Sequence, residues 1–237
     1  MGDASGNRRA VPARIFEGFD ANFSGARAGR EPTGLGPPLP RRFYARPVLR
    51  VARECIGKIV VRTCPEGVTA GKIVEAEAYR GPKDLAAHSA RGRRTSRTEV
   101  MFGPAGYAYV FLIYGMHHHL NLVTGDPGEP HAVLVRALEP VFGRRLMAIR
   151  RGIDEGRREL SNGPGKLCDA LAITKADYGA DLCEKESLYL VDGPAPRKVS
   201  RAPRIGVDYA RQWALRPWRF FDPSSPYVSD ARGGRMA

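Results

Sequence analysis

Residues 58–79 read KIVVRTCPEGVTAGKIVEAEAY, and this stretch decides the fold class. KIVVRT (58–63) and GKIVEAEAY (71–79) are rich in β-branched residues and flank a turn at Pro65, Glu66 and Gly67. That pattern predicts two neighbouring strands. Side chains alternate across a strand, so Glu75, Glu77 and Tyr79 share one face of the second.

Outward from this pair, PVLRVARECIG (47–57) predicts a short helix, with Pro47 in its first turn and Gly57 ending it. Leu49, Ala52 and Ile56 would share a face of it. Residues 81–101 are polar and arginine-rich and predict a loop with one helical turn. YAYVFLIY (107–114), Gly115 and MHHHLNLVT (116–124) predict a hairpin with Tyr114 near its tip. HAVLVRAL (131–138) predicts another strand, and RIGVDY (204–209) a late short one. Phe142, Leu146 and Ile149 stand at i, i+4 and i+7, one face of a helix. GPGKLCDALAI (163–173) predicts a second helix, starting at Pro164.

Runs of strands with helices set between them indicate an α+β fold. The expectation is a single domain over 41–227, a curved, mainly antiparallel β-sheet with flanking helices and a protruding β-hairpin. Residues 1–40 and 228–237 read as flexible tails, dominated by Gly, Ala, Arg and Pro at the N-terminal end.

The chain has 237 residues, 43% of them hydrophobic, enough for a buried core. Mean hydropathy is −0.35, and no apolar run reaches the length of a membrane span. The first residues, MGDASGNRRAVPARIFEGFD, lack the apolar block of a secretory signal. A cytoplasmic protein is expected, nucleoid-associated if bacterial, with no membrane partner. Cys55, Cys64, Cys168 and Cys183 are scattered, without a CxxC pair or zinc spacing, and read as reduced, mostly buried side chains.

Charge is more informative. The chain carries +13, with a pI near 10.0. Beyond residue 42 there remain 31 basic and 21 acidic residues, so the positive field belongs to the folded part. A polyanion such as DNA or RNA explains this through counterion release. Arginine enrichment from a GC-rich genome explains it equally well.

Four features could carry chemistry. Glu75 and Glu77 read either as an acid/base pair or as the polar outer face of a half-exposed strand. The loop HSARGRRTSR (88–97) holds four Arg among Ser and Thr hydroxyls, suited to phosphate oxygens or simply solvated. The hairpin tip offers Ile113, Tyr114, Gly115 and Met116 where Asn, Asp or Gly is usual. It reads as an apolar wedge for a duplex or as a hairpin buried in the core. Within His117–His119 only His117 and His119 share a face, with no acid or Cys at helpful spacing, so no metal site is expected.

Taken together, IVEAEAYRGPKDLAAHSARGRRTSRTEVMFGPAGYAYVFLIYGMHHHLNLVT, AVLVRALEP and NGPGKLCDALAI resemble the 3-methyladenine (alkyladenine) DNA glycosylase family. The similarity runs from about Arg42 to Tyr227, with three blocks in order. It implies Glu77 as the catalytic general base and Arg136 beside the catalytic water and sugar-phosphate. It implies Tyr79, His88, Phe111 and Asn121 around a flipped base, and Tyr114 with Met116 at the point of DNA intercalation. Arg93, Thr95, Arg97 and Lys166 would contact the DNA backbone. Phe111 stands where the family often carries a tyrosine, and the three histidines replace a more mixed run.

The implied partner is double-stranded DNA containing damaged purines: 3-methyladenine, 7-methylguanine, hypoxanthine or ethenoadenine. The implied enzyme is a cofactor-free, monofunctional DNA glycosylase, and, with no oligomerisation signature in the sequence, a monomer is the simplest expectation. A cationic alkylpurine leaves without prior protonation, so one carboxylate suffices to activate water. Neutral lesions would need a donor at the base, from a water or from around His88. No lysine near Glu77 is suited to Schiff-base attack. A non-catalytic nucleic-acid-binding module of the same fold, or a metal-dependent nuclease built on His117 and His119, are the alternatives.

Overall fold

The computed structural model describes residues 35–229. Two short helices, α1 (Arg41–Tyr44) and α2 (Val48–Glu54), lead into β1 (Ile59–Cys64) and the long β2 (Gly67–Arg80). A loop with two 3-10 turns precedes the hairpin of β3 (Ala108–Ile113) and β4 (His117–Thr124). Next come β5 (His131–Phe142), α3 (Arg144–Arg151), α4 (Pro164–Leu171), and the short strands β6 (Leu188–Val191), β7 (Ser200–Ala202) and β8 (Arg219–Phe221).

The strands form one antiparallel sheet in the order β3-β4-β5-β2-β1-β6, and β8 joins β2 to β7. The α+β fold read from the sequence is therefore present, hairpin included. Alternation sorts the central strands into two faces. Ala76, Ala78, Val133, Val135, Leu120 and Leu122 point toward the helices and form the main core with α2 and α4. The opposite face carries Glu77, Leu134, Asn121 and Tyr109, aligned in one row across β2, β5, β4 and β3. One side of the sheet is thus built for stability, and the other is left for polar groups.

Several local expectations are corrected. RIGVDY is not a strand. Ile205 N–H donates to a side chain rather than to a ladder, and Gly206 takes φ +73°, which interrupts an extended run. Phe142 is no part of a helix face, because β5 continues through Pro140 to pair Phe142 with Ala70. Pro140 costs little there, since the ladder already shifts register beside it. In α3 the buried residue is Met147, whereas Ile149 is 70% exposed. In α2 the buried face is Val48, Val51 and Ala52, with Leu49 only partly covered.

The described residues include the inner ends of both expected tails. Leu39 is buried and its N–H donates to Leu190 O at 2.7 Å, which adds residues 38–39 to the β6 edge. At the other end, Ser229 N–H donates to Glu75 Oε2 at 2.8 Å. The tail readings for 1–34 and 230–237 lie outside the described residues. Cys55 and Cys168 are buried, Cys64 and Cys183 partly so, and all four are free thiols.

Candidate active site

A double irregularity between β2 and β5 builds the centre of the site. Ile73 pairs with Leu138, Glu75 with Ala137 and Ala76 with Val135, leaving Val74 and Arg136 outside the ladder. Bulges re-aim side chains in this way. Here the guanidinium of Arg136 lies between two fully buried carboxylates: Nη1 is 3.3 Å from Glu77 Oε2, and Nε is 3.4 Å from Glu75 Oε1. Burial works against the Arg136 charge, but Glu77 and Glu75 outweigh it and raise the pKa above the ordinary arginine value.

The two glutamates have different companions. Glu75 accepts from Arg219 Nη1 at 2.9 Å and from Ser229 N, which ties β8 and Ser229 to the sheet. Glu77 accepts from Tyr79 Oη and from Ile205 N, both at 2.8 Å. A carboxylate has about four acceptor sites. Tyr79, Arg136 and Ile205 occupy three on Glu77, and one is left. The polar-outer-face reading of this pair is excluded, because neither glutamate has any solvent exposure.

Tyr79, Arg136 and Ile205 also line a cavity of about 120 Å³, together with His88, Phe111 and Asn121. Glu77 sits directly behind that wall. Met101, Tyr109, Phe111 and Ala132 form a small apolar cluster beneath it. Asn121 is fixed by its Nδ2, which donates to Tyr109 O at 3.1 Å. His88 Nδ1 lies 2.8 Å from Tyr109 Oη, and its ring meets Phe111 edge-on at 4.5 Å. Burial, then the nearby Arg97 and Arg93, lowers His88 to about 4. Its ring is then neutral near pH 7 and carries one N–H donor and one acceptor nitrogen.

The segment after β7 closes the cavity. Arg204 and Asp84, both buried, pair at 2.5 and 2.9 Å, and the guanidinium lies 4.7 Å over the Tyr79 ring. This anchor places Ile205 N against Glu77. Removing one partner of such a buried pair costs about 3–5 kcal/mol.

Outside the cavity opens a groove of about 620 Å³, lined by Arg91, Arg93, Thr95, Arg97 and Arg211. Its charge suits a phosphate backbone. The expected set of four loop arginines is split, because Arg94 forms a two-pronged pair with Glu99 at 2.5 and 2.9 Å. Arg97 bridges groove and cavity, with its guanidinium 4.7 Å over Phe111. Lys166, at the start of α4, donates to Asn162 Oδ1 at 2.9 Å.

The hairpin is not buried. Tyr114 is 85% exposed and Met116 69%, at a turn in which Tyr114 (φ 51°) and Gly115 (φ 71°) are both left-handed. The twist of paired strands favours this turn. A tyrosine in that conformation costs about 1–2 kcal/mol. An exposed aromatic held at such a cost points to a surface contact.

The structure thus gathers Glu77, Arg136, Tyr79, His88, Phe111 and Asn121 around one cavity and puts Arg93, Thr95 and Arg97 along the adjoining groove. Sequence reasoning missed Tyr109 and weighed His119 only as a metal ligand, although period-two alternation with Phe111 and Asn121 marks both. It also missed the 204–211 segment and Asp84, for which no local signal exists. Among the described residues no group of three or more His, Cys, Asp or Glu could hold a metal ion, and no helix is long and apolar enough to cross a membrane.

Residues 42–226 match the family model described as methylpurine-DNA glycosylase. A protein of Methanocella arvoryzae is 53% identical over 198 residues, 84% of this chain and 98% of its own. One of Myxococcus xanthus is 51% identical over 193 residues, 81% of this chain and 93% of its own. One of Desulfitobacterium hafniense is 44% identical over 198 residues, 81% of this chain and 98% of its own. Each bears the name "Putative 3-methyladenine DNA glycosylase".

Proposed function

Because the chain belongs to the methylpurine-DNA glycosylase family, DNA N-glycosylases of base-excision repair, we propose that it excises alkylated or deaminated purines with a Glu77-activated water and leaves the strand uncut. The substrates on this reading are 3-methyladenine, 7-methylguanine, hypoxanthine and ethenoadenine in duplex DNA. The observation that carries it is the seat of Glu77: buried, ion-paired to Arg136, and separated from a base-sized cavity only by its own hydrogen-bond partners.

A base inside a duplex is out of reach, so the nucleotide must first be extruded, at a cost of a few kcal/mol. Tyr114 fills the gap left in the stack, and aromatic stacking of this kind is worth about 1–3 kcal/mol per base. Arg93, Thr95, Arg97 and Lys166 hold the distorted backbone. Inside the cavity the base rests against Phe111, Tyr79 and His88, with Asn121 at its edge.

Cleavage develops positive charge on the sugar. The Glu77 carboxylate faces that charge and takes the proton of the water bound at its remaining acceptor site. Arg136 orients carboxylate and water. The base departs with the electron pair of the glycosidic bond, which neutralises a cationic alkylpurine, and the water oxygen bonds to the sugar carbon. The cavity wall contains no lysine among the described residues, which favours the monofunctional course over Schiff-base attack.

Incubating the protein in EDTA with duplexes carrying one 3-methyladenine or one hypoxanthine tests this reading. Free base with an intact, alkali-labile strand is the predicted result. Chelator-sensitive scission would indicate a nuclease instead, and binding without release a non-catalytic module.

A further inference from the structure

The cavity contains a second imidazole to which nothing above gives work. His119 lines it, between Phe111 and Asn121. It is the cross-strand partner of Phe111, with ring centroids 5.4 Å apart and planes tilted by 59°. It shares the cavity face of β4 with Asn121, whose Nδ2 is 3.4 Å from the His119 carbonyl. Backbone and ring are therefore both held in place.

Its hydrogen-bonding capacity differs from that of its neighbours. His88 places Nδ1 on Tyr109 Oη and Nε2 within 3.4 Å of Arg97. Asn121 spends its amide on backbone carbonyls. The ring nitrogens of His119 have no hydrogen bond to any described residue. Burial, followed by Arg136, His117 and His88, lowers its pKa to about 4, so near pH 7 it carries one N–H donor and one bare acceptor nitrogen. No second group fixes which nitrogen bears the proton, so either tautomer is open to it.

We propose that His119 is a specificity-determining residue: its unspent neutral ring hydrogen-bonds the polar edge of the flipped purine. By changing tautomer it accepts from a 6-amino purine and donates to a 6-oxo purine. One pocket then takes adenine-derived and guanine- or hypoxanthine-derived lesions through a contact that is itself uncharged. The inference rests on the glycosylase reading above.

The test is single-turnover release of 3-methyladenine (6-amino) and 7-methylguanine (6-oxo) from duplexes by wild type, His119→Phe and His119→Gln. Phenylalanine keeps the ring and removes both hydrogen-bonding atoms, and release of both bases should fall about tenfold, the loss of one hydrogen bond. Glutamine offers a donor and an acceptor together and should keep both rates within about threefold of wild type. Affinity for undamaged duplex should not change in either variant, which separates a lost base contact from a misfolded hairpin. Should wild type release both bases while His119→Phe matches it, the inference is overturned and the glycosylase reading stands. Should His119→Gln lose as much as His119→Phe, a donor and an acceptor at this position do not sustain release and the inference is equally overturned. Should wild type release neither base, the glycosylase reading itself has failed.

Discussion

The phenol of Tyr79 donates to Glu77 Oε2 at 2.8 Å, from two residues further along the same strand. Burial, then the adjacent Glu77 charge, raises the Tyr79 pKa well above its ordinary value, so the phenol stays a donor across the working range. Tyr79→Phe removes one hydrogen bond to a charged group, worth about 1.5–3 kcal/mol. Single-turnover base release should fall about tenfold to a hundredfold while lesion affinity changes little, because the ring that meets the base remains. An affinity loss equal to the rate loss would instead make Tyr79 only a pocket wall.

Tyr114 sets function against local strain. Tyr114→Gly relieves a left-handed tyrosine, so stability in urea should equal or exceed that of wild type, within about 1 kcal/mol. Release of a lesion base should fall at least tenfold, because nothing then occupies the vacated stack. A variant that is as active as wild type would remove the intercalation role.

Arg93 and Arg94 are sequence neighbours with opposite expectations. Arg93 lines the open groove, whereas both prongs of Arg94 are taken by Glu99. Arg93→Ala should lower the slope of log affinity against log salt by about one, and Arg94→Ala should leave it unchanged. Equal effects would mean that the Glu99 pair opens on DNA.

His88 and His119 both titrate near 4 in the folded chain, below the ordinary histidine value of 6.5. Above about pH 6.5 folded and unfolded states bind no proton at these rings. Between about 6.5 and 4 only the unfolded state binds them, so stability falls as pH drops. Each ring contributes at most about 1.4 kcal/mol per pH unit. Urea denaturation at pH 7, 6 and 5 should give a steeper decline for wild type than for the His88→Gln, His119→Gln double variant. Parallel declines would contradict the buried neutral state of the two rings.

Much of this was legible in the sequence because alternation is a local signal. GKIVEAEAY displays Glu77 and Tyr79 on one face, and the hairpin strands display Phe111 and Asn121 two residues from Tyr109 and His119. What stayed hidden depends on pairs remote in the chain. Ile205 meets Glu77 across 128 residues, and Arg204 meets Asp84 across 120. RIGVDY reads as a strand because its local pattern says nothing of a carboxylate waiting for the Ile205 N–H. Arg136 sits mid-strand in HAVLVRAL, and only the register of two strands shows that it drops out of the ladder.

The role of Glu77 is tested most directly by Glu77→Gln on a duplex with one 3-methyladenine, following base release and lesion affinity side by side. Gln keeps the shape and, through its single carbonyl oxygen, the contact from Ile205 N–H, but its amide nitrogen accepts neither the Tyr79 phenol hydrogen nor a proton from water. Release should fall by about 10²–10⁴, the usual contribution of a general base, with lesion affinity within about threefold of wild type. Release within tenfold of wild type would contradict the assignment of Glu77 as the base.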